Sequence, residues 1–144
     1  MVVKKPTGFE FLKNTLNGAK YVVAPMVDQS ELSWRILSRR YGAQLCYSPM
    51  LNAKVFVEES GRSKYRENNF STLPTGDFPL IAQFCGNDPE MILKAAKMVE
   101  KDVVAVDLVC DEIIGGYFGL MVPVESWMSS GNSQKGPLWS LFAG

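Results

Sequence analysis

The chain has 144 residues, 47% of them hydrophobic and 21% charged, with 15 basic residues balanced by 15 acidic ones. That is the profile of a globular domain large enough to bury a core without disulfide staples. It contains no histidine, which excludes Ser-His-Asp and Cys-His catalysis, histidine-ligated metals and a histidine pH switch.

Cys46, Cys85 and Cys110 lie far apart with no C-x-x-C spacing. Neither a zinc ribbon nor a disulfide scaffold fits, and reduced thiols in a cytoplasmic or nuclear compartment are expected. Lys4 and Lys5 precede a stretch broken by Glu10, Lys13, Asn14 and Asn17, so no apolar signal-peptide region is expected. The uncharged run over residues 113–124 is interrupted by glycines and falls short of the roughly 20 apolar residues a membrane span needs.

Phe9, Phe11, Leu12 and Leu16 recur at helical spacing, and Asn17-Gly18 marks the end of that helix. Residues 20–26 (KYVVAPM) read as a buried strand closed by a proline. Asp28 and Glu31 have the offset of a capping box, ahead of a helix with Leu32, Ile36, Leu37 and Tyr41 on one face and Gly42 as its stop. Residues 44–47 (QLCY) predict a second strand, and residues 52–59 a further helix that runs into a polar loop or short helix over 60–72. Residues 80–84 (LIAQF) predict a third strand. Asn87 or Asp88 then caps a helix with Pro89 in its first turn and Met91, Ile92, Ala95, Met98 and Val99 as its apolar face. A fourth strand follows over 103–109. Strands that are apolar along their whole length and alternate with helices indicate an α/β fold with a parallel sheet covered on both faces.

After Val109 the pattern changes. Glycines, serines and two tryptophans follow with no clear period, and residues 129–136 (SSGNSQKG) have linker composition. The sequence therefore divides into a patterned part, 1–109, and a divergent, poorly ordered tail, 110–144.

Few residues stand out chemically. Gln83 is an amide inside an apolar strand and must find partners if buried. Backbone of a neighbouring loop is one candidate, and a planar heterocycle with donors and acceptors is another. Pro25 and Met26 end the first strand, at the carboxyl edge where parallel β/α folds bind ligands, and Met26 either lies against an aromatic ring system or fills the core. Arg35, Arg39 and Arg40, with Arg62, Lys64 and Arg66, could touch phosphates or form solvated faces. Asp111 and Glu112 beside Cys110 would raise a thiol pKa, the wrong direction for a nucleophile. Gly115, Gly116 and Gly119 do not make a dinucleotide fingerprint, because its first glycine would fall on Ile114.

Residues 21–54, "YVVAPMVDQSELSWRILSRRYGAQLCYSPMLNAK", resemble the tRNA-dihydrouridine synthases, in particular the eukaryotic branch acting on D-loop uridines at tRNA positions 16 and 17. The likeness extends to "GFEF" (8–11), "KYRENN" (64–69) and "PLIAQFCGNDPEMILKAAKMVE" (79–100), and stops at "AVDL" (105–108). The resemblance implies a TIM-type (β/α)8 barrel holding FMN, with NADPH or NADH as reductant, tRNA as substrate and a following helical tRNA-gripping domain. Hydride would pass from reduced flavin to C6 of uracil, a cysteine would protonate C5, and the uridine would have to leave its stack to be reached. On this implication Ala24, Pro25 and Met26 support the isoalloxazine, and Gln83 bonds its polar edge. The family continues "VDLN" into "LGCP", whereas here Leu108 is followed by Val109, Cys110 and Asp111. Cys110 is out of register with the catalytic cysteine and takes no catalytic role.

A (β/α)8 barrel typically needs about 250 residues. About four βα units, the incomplete N-terminal part of such a barrel, are expected here, with two open sheet edges that favour self-association. A shortened product with little or no turnover of its own and weak tRNA binding is the corresponding expectation. The rival is a non-catalytic module that dimerises through an open edge.

Overall fold

The computed structural model describes residues 7–58, 64–110 and 118–123. One five-stranded sheet runs in sequential order through β1 (Val22–Val23), β2 (Leu45–Asn52), β3 (Leu80–Cys85), β4 (Ala105–Cys110) and β5 (Phe118–Pro123). The first four strands are parallel, and β5 pairs antiparallel to β4. Helices fill each parallel crossover: α2 (Leu32–Arg40) after β1, α3 (Ala53–Val57) and α4 (Tyr65–Asn69) after β2, and α5 (Pro89–Val99) after β3. The chain is thus α/β, with the strand order of the N-terminal part of a TIM-type barrel.

The tail behaves differently from its expected irregularity over one stretch. Phe118–Pro123 is a strand whose six residues each pair with one residue of β4. β4 is therefore an interior strand, and the outer strands are β1 and β5, not β1 and β4. The remainder of the expected tail, including the linker-like 129–136, lies outside the described residues.

Alternation along β3 sorts the core. Leu80, Ala82 and Phe84, with Cys46 and Leu51 of β2 and Val106 and Leu108 of β4, pack against Ile92, Ala95, Ala96 and Val99 of α5 and Ala53 and Phe56 of α3. Phe56 meets Phe84 and Phe70 edge to face, with ring centroids 5.1 and 5.9 Å away. The buried face of α5 is turned slightly from the expected one: Ala96 lies inside and Met98 is exposed. On the opposite face Leu45, Ile81 and Ala105 are covered by Phe11 and Leu16. These two come from the N-terminal helix, α1 (Gly8–Glu10), which continues as a π-helical turn over Phe11–Thr15. The Leu16 N–H bonds to the Phe11 carbonyl five residues back. This wider turn leaves Phe9 and Leu12 exposed, so only half of the expected apolar stripe is used.

Two boundaries moved for local reasons. β2 does not end at Tyr47; a bulge at Ser48-Pro49 shifts the register, and pairing resumes at Met50. Proline has no N–H for the ladder, and a bulge accommodates it without ending the strand. β1 is shorter than the 20–26 run and stops before Pro25. Asp88 caps α5 as expected, accepting from the N–H groups of Glu90 and Met91. Asn52 likewise caps α3 through Val55. The Asp28–Glu31 capping box does not form. Asp28 takes φ 56° in the turn, not the extended conformation of an N-cap, and Glu31 stands at the N-cap of α2 with no side-chain bond.

The face of α2 that points inward is only partly the expected apolar one: Leu32 and Ile36 are half-buried. Leu37 and Tyr41 are exposed, whereas Arg35 is 1% exposed. Its guanidinium donates from Nε and Nη2 to both carboxylate oxygens of Asp77 at 2.7–3.1 Å, from Nη1 to the Ser30 carbonyl at 2.7 Å and from Nη2 to the Ser71 carbonyl at 2.6 Å. Arg39 adds a 2.6 Å bond to the Pro79 carbonyl and lies 3.6 Å from Asp77. Neither phosphate contact nor a solvated face describes Arg35. Removing one partner of a buried pair strands the other charge, at a cost of about 3–5 kcal/mol. Asp77→Ala is accordingly expected to lower unfolding free energy by about that amount in urea melts, and a loss below about 1 kcal/mol would show that the pair is not a determinant of stability.

Candidate functional site

β3 is flanked by β2 and β4, so its residues at the carboxyl side sit at the middle of the sheet. Gln83 occupies the face shared with Ile81, two residues nearer the carboxyl end, and is half-buried. Its register partners are Met50 on β2 and Asp107 on β4. The Gln83 side chain donates from Nε2 to Asp107 Oδ2 at 2.7 Å. Its backbone N–H bonds to Ser48 Oγ at 3.0 Å. Ser48 is free to accept because the bulge lifts it out of the β2 ladder, and its own proton goes to the Pro49 carbonyl at 2.8 Å. The Gln83 amide thus bonds a strand carboxylate, not loop backbone.

Tyr47 precedes the bulge on the same face. Burial pushes its phenol pKa up, and the Asp107 charge adds to the effect. Both influences favour the neutral phenol, a hydrogen-bonding group and not a base at ordinary pH. An amide, a carboxylate and a phenol therefore stand together above an apolar floor. They can bind a polar, flat partner but do not form a nucleophile with its base.

Ala24, Pro25 and Met26 follow β1 directly, at the same carboxyl end of the sheet. Ala24 is exposed, and Pro25 and Met26 are half-buried. Ser30 holds this segment: its hydroxyl accepts from the Met26 N–H at 2.9 Å and donates to the Met26 carbonyl at 3.0 Å. Ser30 is fully buried, and its own carbonyl accepts from Arg35. The segment is therefore anchored to the α2 ion pair, whereas Gln83 is anchored to its neighbouring strands. The two groups share an end of the sheet but have separate hydrogen-bond partners.

The thiols do not join this set. Cys46 lies on the α5 side, where burial raises its pKa, with Arg39 acting in the opposite direction. Cys110 is the last residue of β4, and its backbone pairs with Phe118. Among the described residues no group of three histidine, cysteine or acidic side chains could hold a metal ion. Asp107 and Tyr47 were missed in the sequence. Asp107 interrupts the apolar run of β4 as Gln83 interrupts that of β3, so the same criterion would have found it. Tyr47 carries no such signal, because an aromatic residue is ordinary in a strand.

The Dihydrouridine synthase (Dus) family pattern matches residues 22–110, from the first residue of β1 to the last of β4. The chain is 50% identical over 127 residues to the tRNA-dihydrouridine(16/17) synthase-like NAD(P)(+) protein of Mus musculus, covering 85% of this chain and 26% of that protein. To the tRNA-dihydrouridine(16/17) synthase of Saccharomyces cerevisiae it is 54% identical over 112 residues, covering 74% of this chain and 26% of the yeast protein. A tRNA-dihydrouridine(20a/20b) synthase-like protein of Homo sapiens is 42% identical over 89 residues, or 62% of this chain and 27% of its own. The chain spans about a quarter of the length of these curated relatives. No solved structure matches it significantly. The family match takes in all four parallel strands together with Met26, Gln83 and Asp107, and the chain belongs to the dihydrouridine synthase family.

Proposed function

We propose that this chain provides the N-terminal part of an FMN-binding catalytic barrel that reduces the C5–C6 bond of a D-loop uridine in tRNA, at position 16 or 17, with NAD(P)H as the source of electrons. The observation that carries this reading is Gln83, a half-buried amide at the centre of the sheet, held by Asp107 at 2.7 Å. The family match and the names of the relatives, which specify tRNA, dihydrouridine and NAD(P), support the substrate and the reductant.

The residues present fit a flavin ring in chemical type. Gln83 offers an uncharged amide to its polar edge, and Pro25 and Met26 offer apolar, polarizable contact. Bound FMN would supply the hydride that C6 of uracil accepts. The chain's own part is to hold the ring. Ser30 keeps Met26 in place, the bulge at Ser48-Pro49 sets the height of Gln83, and the apolar floor of Ile81, Leu45 and Ala105 keeps water from beneath.

Titrating the full chain into FMN is expected to quench flavin fluorescence. Gln83→Leu should weaken binding about tenfold, since one or two hydrogen bonds of about 1 kcal/mol each are lost. No quenching by the wild-type chain, or none of the loss in Gln83→Leu, would overturn the reading. Cys110→Ser, at a residue given no catalytic part, should leave FMN affinity unchanged; a tenfold loss would return Cys110 to the site.

A second reading, self-association through the outer edge of β1, is favoured by one observation. Tyr21 and Val22 are exposed beside a groove of about 360 Å³ that Ser38, Tyr41, Gly42 and Ala43 also line. Unpaired strand edges of this kind invite pairing. Light scattering during size-exclusion chromatography should then show a dimer that Val22→Lys converts to monomer, and a monomer at all concentrations would remove this reading.

A further inference from the structure

Asp107 is placed to do more than fill a strand. It stands directly beside Gln83 in the parallel register, both side chains are half-buried, and the contact between them is the short 2.7 Å bond from Gln83 Nε2 to Asp107 Oδ2. An ionised carboxylate has acceptors and no proton to donate. It therefore selects the nitrogen of the amide, because the flipped amide would set two oxygens against each other. The bond is charge-assisted and stronger than one between neutral groups. The main chain of Gln83 is fixed at the same time by Ser48, so the residue is held at its backbone and at the end of its side chain. The Asp107 charge is felt across this face, since it contributes to the raised phenol pKa of Tyr47.

One amide proton is consumed in this way. What remains on Gln83 is one N–H and the carbonyl oxygen, a donor beside an acceptor. That pair is complementary to a cyclic imide, in which a C=O and an N–H are adjacent in one ring plane. We propose that Asp107 is a positioning residue that fixes the amide orientation of Gln83, so that the site selects a ring bearing an imide N–H. This rests on the flavin reading above and adds to it a residue and a selection rule. An asparagine at position 107 would offer either a donor or an acceptor, and both amide orientations of Gln83 would then be populated.

The test uses the full chain, FMN and FMN methylated at the imide nitrogen, with two variants, Asp107→Asn and Asp107→Glu. Wild type is expected to prefer FMN to the methylated form by about tenfold, the equivalent of about 1.4 kcal/mol. In Asp107→Asn that ratio should fall towards one, and Asp107→Glu, which keeps an acceptor-only group, should recover part of it. A general loss of stability would weaken both flavins together and leave the ratio alone, so an unchanged ratio in Asp107→Asn overturns the proposal. A second measurement needs no flavin. In chain labelled with 15N-glutamine, the side-chain signal of Gln83, assigned by its loss in Gln83→Leu, should have one proton shifted downfield and slow to exchange. Asp107→Asn should abolish that shift. Its absence in wild type overturns the orientation lock. Failure of wild type to bind either flavin, with the downfield proton present, overturns the flavin reading and the selection rule while supporting the lock.

Discussion

The buried pairing of Arg35 with Asp77 is the constraint on which the arrangement of this sheet depends. It joins α2 and the turn just before it to the loop that leads into β3, where Asp77 lies 42 residues from Arg35 in the chain. Through the Ser30 carbonyl it fixes the residue that grips Met26, and through Arg39 it reaches the Pro79 carbonyl at the start of β3. The Met26 segment is therefore referenced to the Arg35 guanidinium, and the start of the strand that carries Gln83 to the neighbouring one of Arg39. A bidentate arginine suits this task because its planar fork sets direction as well as distance. Such a pair is a poor source of net stability against an apolar replacement, but its geometry specifies which loop docks where.

How much of this was legible in the sequence follows the physical origin of each feature. The β/α alternation was readable because apolar runs and caps are local, and Asp88-Pro89 and Gly42 act through their immediate neighbours. The orientation of α2 was readable only in part, through Leu32 and Ile36, which are half-buried. Its period placed Leu37 and Tyr41 inward, whereas the helix turns Arg35 inward because Asp77, 42 residues later, supplies a buried partner. No pattern within a helix reveals a counter-charge on a distant loop. The bulge in β2 was hidden for a related reason: Ser48-Pro49 reads as a strand end, yet the neighbouring strand continues and carries β2 onward.

Within the site, Gln83 was visible as a polar residue in an apolar run, and its partner was not assigned. The bond to Asp107 is a register effect that requires β3 and β4 to be adjacent and parallel. A half-buried amide and a half-buried carboxylate each carry a desolvation cost alone, and adjacency in the ladder lets each satisfy the other. The same adjacency keeps both groups within a sheet instead of on a loop, which favours fixed geometry over adaptability.

The antiparallel strand β5 bears on how the sheet can grow. A right-handed β/α crossover delivers its next strand parallel to the last one and beside it. Here all six residues of β4 already have antiparallel partners in β5, so that place on the ladder is taken. Curving onward into a closed cylinder from β4 would require the hairpin to open and six rungs to be exchanged for new ones. Within the described residues β5 satisfies the backbone of β4 from the same chain and shields that strand from pairing with another molecule.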